Sequence, residues 1–525
     1  MNILVIRTHR FGDILQTSPM LRGLREKFPD GKISFLTGSD MTDLVSSNPD
    51  VDEVFSIPEK EYRWFLKNRP EQHPRVYNEL YDLLSELRGR DFRLIVNRQY
   101  EFGAMAAWLV GGVGETRGGT FSPEEGFVFT DDASRELFET IRTDRRRNGR
   151  NLVDWGCRIA GVSPGCGDMV FRVPETARSD AGHLLAEGGA KGDDDSLVAV
   201  QMGAARSFRQ WGAENYTPVI RWLIKDRNKR VVLLGSEDEE GLAETAVRCL
   251  GPEGNGVINL TGATDLNTLG GVLERCQYLI TGDTGTMHMA AAVGTPILAL
   301  FYGTAYPWET GPYGAGHFVL YADEPCSPCL VPEGCVCGHR CLKAITPRHV
   351  CAAFDIAESM REEGAQSPVW SDETVRLFVT RRQPGSDQVL IPVNDSPEIA
   401  EGMSPLPGRR VTNRPNDNGI ESAVCAFSGQ RDILVRQFCL GDRQSFVDAF
   451  SQLIDRLHAT VRYLNGSRHG EGHEEILARE LMPAIEETHT AFQSEDFVTV
   501  LDIVQYRLTS VMESLVRREG FHGTI

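Results

Sequence analysis

Basic residues are scarce in this chain. It carries 55 Lys and Arg against 74 Asp and Glu, a net charge of −19 over 525 residues. Affinity for nucleic acid comes largely from neutralising phosphates with Lys and Arg, so no nucleic-acid partner is expected. Long apolar runs are also missing. Spanning a bilayer takes about 18 or more consecutive apolar residues, and the best stretches, near residues 104–113 and 289–302, are short or broken by Gly, Thr and Pro. The opening Met1-Asn-Ile-Leu-Val-Ile-Arg7 has neither the basic start nor the small-residue cleavage site of a secretory leader. It reads as a buried strand, and a cytoplasmic location is expected. Cysteines number twelve, too few in so long a chain for a disulfide scaffold. No Gly-x-Gly-x-x-Gly follows the first strand, which argues against a dinucleotide oxidoreductase. The nearest cluster, Gly111-Gly-Val-Gly114, misses the third glycine.

What the chain does have is alternation. Short runs rich in Val, Ile and Leu (Ile3 to Ile6, Ile33 to Leu36, Val54 to Ile57, Leu94 to Val96) alternate with helical stretches. A second series follows at Leu197 to Val200, Val231 to Leu234, Tyr278 to Ile280 and Pro296 to Phe301. Strand, helix, strand repetition predicts parallel sheets covered on both faces, an α/β architecture of two Rossmann-like domains, residues 1–180 and 190–360, facing a cleft. The polar, Gly-bearing segment Ser179 to Ser196 is expected to link them. Residues 361–420, rich in Pro, Ser, Asp and Asn, are expected to be irregular. Residues 421–525 are predicted to be a C-terminal α-helical extension. There Phe446, Phe450, Leu453, Ile454, Leu457, Val461 and Leu464 share one face, as do Phe497, Leu501, Val504, Leu508, Val511 and Leu515. Such stripes are packing or partner-docking surfaces, so a protein partner for this tail is one expectation.

Ligands of open α/β sheets bind at the carboxyl ends of the strands, so the loops there carry the functional argument. After the first strand comes Thr8-His-Arg-Phe-Gly-Asp13, with Asp13 at the entry to a helix. By itself Asp13 suits a helix N-cap as well as a cleft carboxylate. Leu279-Ile-Thr-Gly-Asp-Thr-Gly-Thr-Met-His288 leads from a strand through a short loop into an Ala-rich helix. Free N–H groups at that helix start, with the positive end of its dipole, make a phosphate site, and Gly285 is expected to admit the ligand closely. The alternative is an ordinary turn capped by Asp283 or Thr284, with His288 structural. Gln201-Met-Gly-Ala-Ala-Arg-Ser-Phe-Arg-Gln-Trp211 offers Arg206 or Arg209 to a leaving diphosphate, unless the arginine simply pairs with Glu214. Gly235-Ser-Glu-Asp-Glu-Glu240 could hold ribose hydroxyls, although acidic first turns are common without function. Asp193-Asp-Asp195 precedes its strand and reads as a solvated charge run.

Together, the runs Asn259-Leu-Thr-Gly262, Asp283-Thr-Gly-Thr-Met-His288, Gly294-Thr-Pro296, Phe301-Tyr-Gly-Thr304 and Thr310-Gly-Pro-Tyr-Gly314, with Arg7 to Pro19 in support, resemble family 9 of the glycosyltransferases, the bacterial heptosyltransferases. The resemblance covers about residues 1–355. It implies a GT-B fold, an acceptor-binding first half, and a second half that binds a nucleotide-diphosphate sugar, typically ADP-heptose. It further implies inverting transfer to a cell-envelope glycan or glycolipid such as the lipopolysaccharide core, at the inner face of the cytoplasmic membrane. Asp13 would be the general base. Arg209 would sit on the diphosphate, where the family commonly has Lys, and Asp283, Thr284, Gly285, Thr286 and His288 would form the donor loop. Glu239 would contact the nucleotide. Transfer of another sugar, a non-catalytic sugar-nucleotide-binding protein and an epimerase of the same fold are the rival readings.

Transfer of this kind is expected to require no cofactor if helix amides and Arg209 stabilise the leaving group. Cys326-Ser-Pro-Cys329, Cys335, Cys337, His339 and Cys341 have the ligand types of a structural zinc site. Cys326, Cys329, Cys335 and Cys341 are the candidate ligands, and packing or local disulfides are the alternative.

Overall fold

The computed structural model describes residues 1–394 apart from 100–101, 112–113, 123–124, 144, 191–196, 205–208, 325, 330–334, 336–337, 362–369, 373 and 383–384, together with residues 450 and 453. The expected helical tail therefore lies outside the described residues, save two positions.

Six strands form the first sheet: β1 (Asn2–Ile6), β2 (Lys32–Gly38), β3 (Glu53–Ile57), β4 (Leu94–Asn97), β5 (Glu115–Ser122) and β6 (Gly126–Phe129). Their order is β3-β2-β1-β4-β5-β6. The first five run parallel, with β1 central between β2 and β4 (Ile3 opposite both Ile33 and Leu94), and β6 closes antiparallel on β5. Burial on both faces explains the unbroken apolar runs. Leu4, Ile6, Leu36, Ile57 and Ile95 pack on one face with Leu84, Leu87, Ala106, Ala107 and Val110 from the covering helices. Each such aliphatic side chain contributes roughly 1.5–3 kcal/mol when fully buried.

The second sheet contains β7 (Leu197–Gln201), β8 (Arg230–Leu234), β9 (Val257–Asn259), β10 (Tyr278–Gly282), β11 (Ile297–Phe301), β12 (Phe318–Ala322), β13 (Val375–Arg381) and β14 (Val389–Pro392). Its order is β14-β13-β12-β11-β10-β7-β8-β9. In both sheets the chain runs outward in one direction from a first strand and then returns to that strand's other side. The reversals fall between β1 and β4 and between β7 and β10, the crevices where doubly wound sheets bind ligands.

Two expectations need correction. Residues 179–187 of the expected linker belong to a helix, Glu175–Glu187, in which Ala177, Ala181 and Leu185 are buried. Its apolar positions recur at helical spacing within a polar composition, so composition alone concealed it. Residues 361–420 are not wholly irregular either, because β13 and β14 extend the second sheet as an antiparallel hairpin, with Phe378 opposite Pro392.

That hairpin also reaches the first half. Arg150 Nε and Arg158 Nη2, flanking or within the helix Leu152–Ala160, bind Asp387 at 3.0 and 2.9 Å. Asp154, fully buried in the same helix, accepts from Tyr313 Oη at 2.8 Å and from the Gln388 backbone N–H at 2.9 Å. Gln388 in turn accepts from Gly314 N–H and donates to the Pro312 carbonyl. These bonds lie within one compact unit, comprising residues 1–301, 306–321 and 345–407; residues 302–305, 322–344 and 408–525 belong to a second.

Candidate functional site

β1 ends at Ile6, and the chain turns through Arg10 at φ 63° into the helix Phe11–Leu15. A non-glycine residue at positive φ costs on the order of 1 kcal/mol or more, and such positions cluster at functional sites. Arg10 occupies the N-cap position, so Asp13 is not the cap. Asp13 sits in the first turn and pairs with Arg7, which also donates to the Arg98 carbonyl at the end of β4. Its side chain remains 28% exposed. A carboxylate oriented by a guanidinium yet still accessible can accept a proton from a bound hydroxyl.

Beside it, Thr8, Glu59 and Gln99 join the ends of three strands. The Thr8 hydroxyl donates to Glu59, its N–H donates to Gln99 Oε1 at 2.8 Å, and Arg63 Nε binds Glu59 at 2.6 Å. Burial alone would raise the Glu59 pKa, but hydrogen bonds from His9, Thr8 and Arg63 outweigh it and lower the value to about 2.

In the second half, β10 leads through Asp283 and Thr284 into the helix Gly285–Val293. Thr284 is the N-cap in extended conformation but makes no side-chain capping bond; its hydroxyl lies 3.1 Å from that of Thr281. The amides of the first turn are thus left by the cap for another acceptor. Arg209, following β7, lies with Nη1 3.5 Å from Asp283 Oδ2, so Asp283 is a counter-ion for it. Ser236 and Glu239 form a capping box, in which Glu239 Oε2 accepts from Ser236 N–H at 2.8 Å. The same oxygen accepts from Gln201 Nε2 at 2.9 Å, while Gln201 Oε1 accepts from the Thr286 hydroxyl at 3.3 Å. One buried amide thereby ties Glu239 to the start of the Gly285–Val293 helix.

The helices Phe11–Leu15 and Gly285–Val293 pack directly on each other. A Cβ on Gly12 would lie 2.9 Å from His288 Cδ2 and 3.1 Å from Gly285 Cα. The bare Cα of Gly285 admits the Phe11 ring, 2.3 Å from where a Cβ would stand, so in this structure the glycine makes room for a side chain of the other half where a ligand was expected. His288 is buried, and Gln16 Nε2 lies 3.0 Å from its Nε2. Burial pushes the imidazole below its ordinary pKa, while Asp283 and Asp13 pull it the other way.

Asp13, Arg209, Asp283, Thr284, Gly285, Thr286, His288 and Glu239 therefore all follow strands at or next to the two reversals. Arg206 lies outside the described residues. Sequence reasoning missed Arg7, Gln16, Glu59 and Gln201. Gln201, the last residue of a central strand, was the one with a signal, since strand ends at a reversal are where ligands bind.

The cysteines are arranged differently. Cys326, Cys329, Cys335 and Cys341 are reduced, and Cys337 lies outside the described residues. Burial, with Cys326 and Cys335 nearby, pushes the Cys341 thiol up to about 12. Among the described residues, no three His, Cys, Asp or Glu side chains converge as a metal site. Among the described residues no helix is long and apolar enough to cross a membrane.

Comparison with known proteins adds the following. Residues 170–337 match glycosyltransferase family 9 (heptosyltransferase). Lipopolysaccharide heptosyltransferase 3 of Escherichia coli is 25% identical over 308 residues, covering 57% of this chain and 84% of that protein. Lipopolysaccharide heptosyltransferase 1 of Pseudomonas aeruginosa is 26% identical over 340 residues, covering 63% and 86%. The crystal structure of a family 9 glycosyltransferase from Veillonella parvula shares the fold, with TM-score 0.54 and 22% identity over 68% of this chain and 96% of that one.

Proposed function

This chain belongs to glycosyltransferase family 9 and is an enzyme of that class, and we propose that it moves heptose from ADP-heptose to a hydroxyl of a lipopolysaccharide-type glycan with inversion. The supporting observation is that Asp13 and the Asp283-to-His288 loop, which follow β1 and β10 at the two reversals, meet through packed helices.

In this reading the acceptor oxygen attacks the anomeric carbon from the face opposite the diphosphate. The new carbon–oxygen bond forms as the bond to the diphosphate breaks, the hydroxyl proton passes to the Asp13 carboxylate, and the electron pair leaves with ADP. Arg7 orients Asp13. Arg209 and the amides at the start of the Gly285–Val293 helix receive the developing charge, a preorganised electrostatic contribution that is often the largest in such reactions. Glu239 binds the nucleoside, and His288, neutral through burial, contacts the donor.

A glycolipid acceptor would place the enzyme at the inner face of the cytoplasmic membrane. Domain limits near residues 180 and 420, with β13 and β14 joining the second domain, and a protein partner for the tail at 421–525 complete the proposal. The proposal includes a structural zinc on Cys326, Cys329, Cys335 and Cys341, tested by metal analysis of the purified chain; no catalytic step runs through it.

The decisive experiment measures ADP release from ADP-heptose with and without a lipopolysaccharide-core acceptor, in the wild type and in Asp13→Asn. The expected result is retained donor binding with kcat lowered by about 10²–10⁴, the usual worth of general-base catalysis. An unchanged kcat would refute the assignment of the base.

A further inference from the structure

We infer that Gln16 is a positioning residue for the transfer reaction, its side-chain amide donating to His288 Nε2 and so holding the imidazole with its proton on Nδ1. This rests on the reading of His288 as a donor-side residue. The two side chains are 272 positions apart, both are buried, and their nitrogens lie 3.0 Å from each other. An amide nitrogen has hydrogens to give and no lone pair to receive one, so at that distance the ring nitrogen must be the acceptor. A neutral imidazole whose Nε2 accepts carries its proton on Nδ1, and burial keeps this imidazole neutral.

The direction of the ring follows from its neighbours. A Cβ on Gly12 would touch Cδ2 at 2.9 Å and Cγ at 3.6 Å, and Cδ2 is bonded to Nε2. That edge therefore faces the helix Phe11–Leu15, at whose C-cap Gln16 stands, and Nδ1 lies across the ring, away from it. Nδ1 is buried with no hydrogen-bond partner among the described residues. Buried polar groups are rarely left unpaired, and an N–H without an acceptor among the described residues suits an oxygen of the bound sugar diphosphate. Asp13, the proposed base, is three residues before Gln16 in the chain. The short segment that presents the base to the acceptor thus also selects the tautomer presented to the donor, which couples the two sides of the reaction.

The full chain labelled with ¹⁵N-histidine, with His288 assigned by comparison with His288→Gln, reads the tautomer directly through two-bond proton–nitrogen correlations. The wild type is expected to show Nδ1 protonated and Nε2 bare. Gln16→Met, close in size but unable to donate, should give a mixture of tautomers, and Gln16→Glu, able only to accept there, should move the proton to Nε2. In ADP-release kinetics Gln16→Met should lower kcat/KM for the donor on the order of tenfold, the scale of one lost hydrogen bond to a buried group, with the acceptor KM unchanged. A protonated Nε2 in the wild type overturns the inference, as does a Gln16→Met variant with unaltered tautomer and donor kinetics. The spectrum stands apart from the transfer assay, so an active Asp13→Asn would refute the parent reading while the tautomer still decides this one.

Discussion

Arg209 Nη1 stands 3.5 Å from Asp283 Oδ2, joining the loop after β7 to the loop after β10. The Asp283 side chain is only 12% exposed against 35% for Arg209, so the buried carboxylate holds the guanidinium beside the start of the Gly285–Val293 helix. Arg209→Ala is expected to lower kcat by about 10²–10³, the usual cost of one donor to a developing oxyanion. Arg209→Lys should recover part of the loss, because it keeps the charge but gives up the planar fork. Steady-state ADP release on both variants measures this; equal rates in Arg209→Ala and the wild type would remove Arg209 from the mechanism.

Gly203 tests the nucleotide side. A Cβ there would stand 1.8 Å from Glu239 Oε1, so Gly203→Ala must displace the carboxylate from Gln201 and Ser236. Donor KM should rise on the order of tenfold with kcat little changed, since the contact binds ground and transition states alike. A donor titration by calorimetry checks the affinity independently.

Glu59 should contribute stability with a definite pH window. Its folded pKa of about 2 lies below the ordinary 4.5, so the stabilisation is fully present above pH 4.5 and lost as pH falls through about 2. Glu59→Gln should therefore cost about 2 kcal/mol at neutral pH, discounting for partial exposure. The gap in Tm between variant and wild type should narrow steadily below pH 4.5.

Asp154 predicts the opposite sign. Burial, partly offset by bonds from Gln388 and Tyr313, raises its pKa from 3.8 to about 6. A raised carboxyl pKa gives stability that is present below pH 3.8 and lost as pH rises through about 6. Asp154→Asn keeps one acceptor for the Gln388 N–H and lets the Tyr313 hydroxyl rotate to accept. The expected outcome is a Tm at pH 8 equal to or above the wild type, with a flatter Tm profile between pH 4 and 6. A large loss of stability at pH 8 would contradict it.

Much of this was legible in the residues. The unbroken runs of β1, β4, β7 and β10 announce strands buried on both faces, and Asp13 and Asp283 to His288 follow them directly. The hairpin of β13 and β14 was hidden because the Pro- and Ser-rich passage around it dominates the local composition. The polar anchors were hidden for another reason. Nothing local separates Gln16, Gln201 or Glu59 from any other surface glutamine or glutamate, because each matters only through a partner 272, 38 or 51 residues away.

Local pattern by itself determined the alternation of strands and helices, the two series of parallel strands and the loops in which reactive side chains must fall, because buried parallel strands and helix starts impose requirements on adjacent residues. Only tertiary packing decided that Asp13 pairs with Arg7 and does not cap its helix, that Phe11 fills the space Gly285 leaves, and that Gln16 meets His288. Those outcomes depend on how separate elements approach within a few ångströms, and burial there turns an ordinary hydrogen bond into one that sets protonation and orientation.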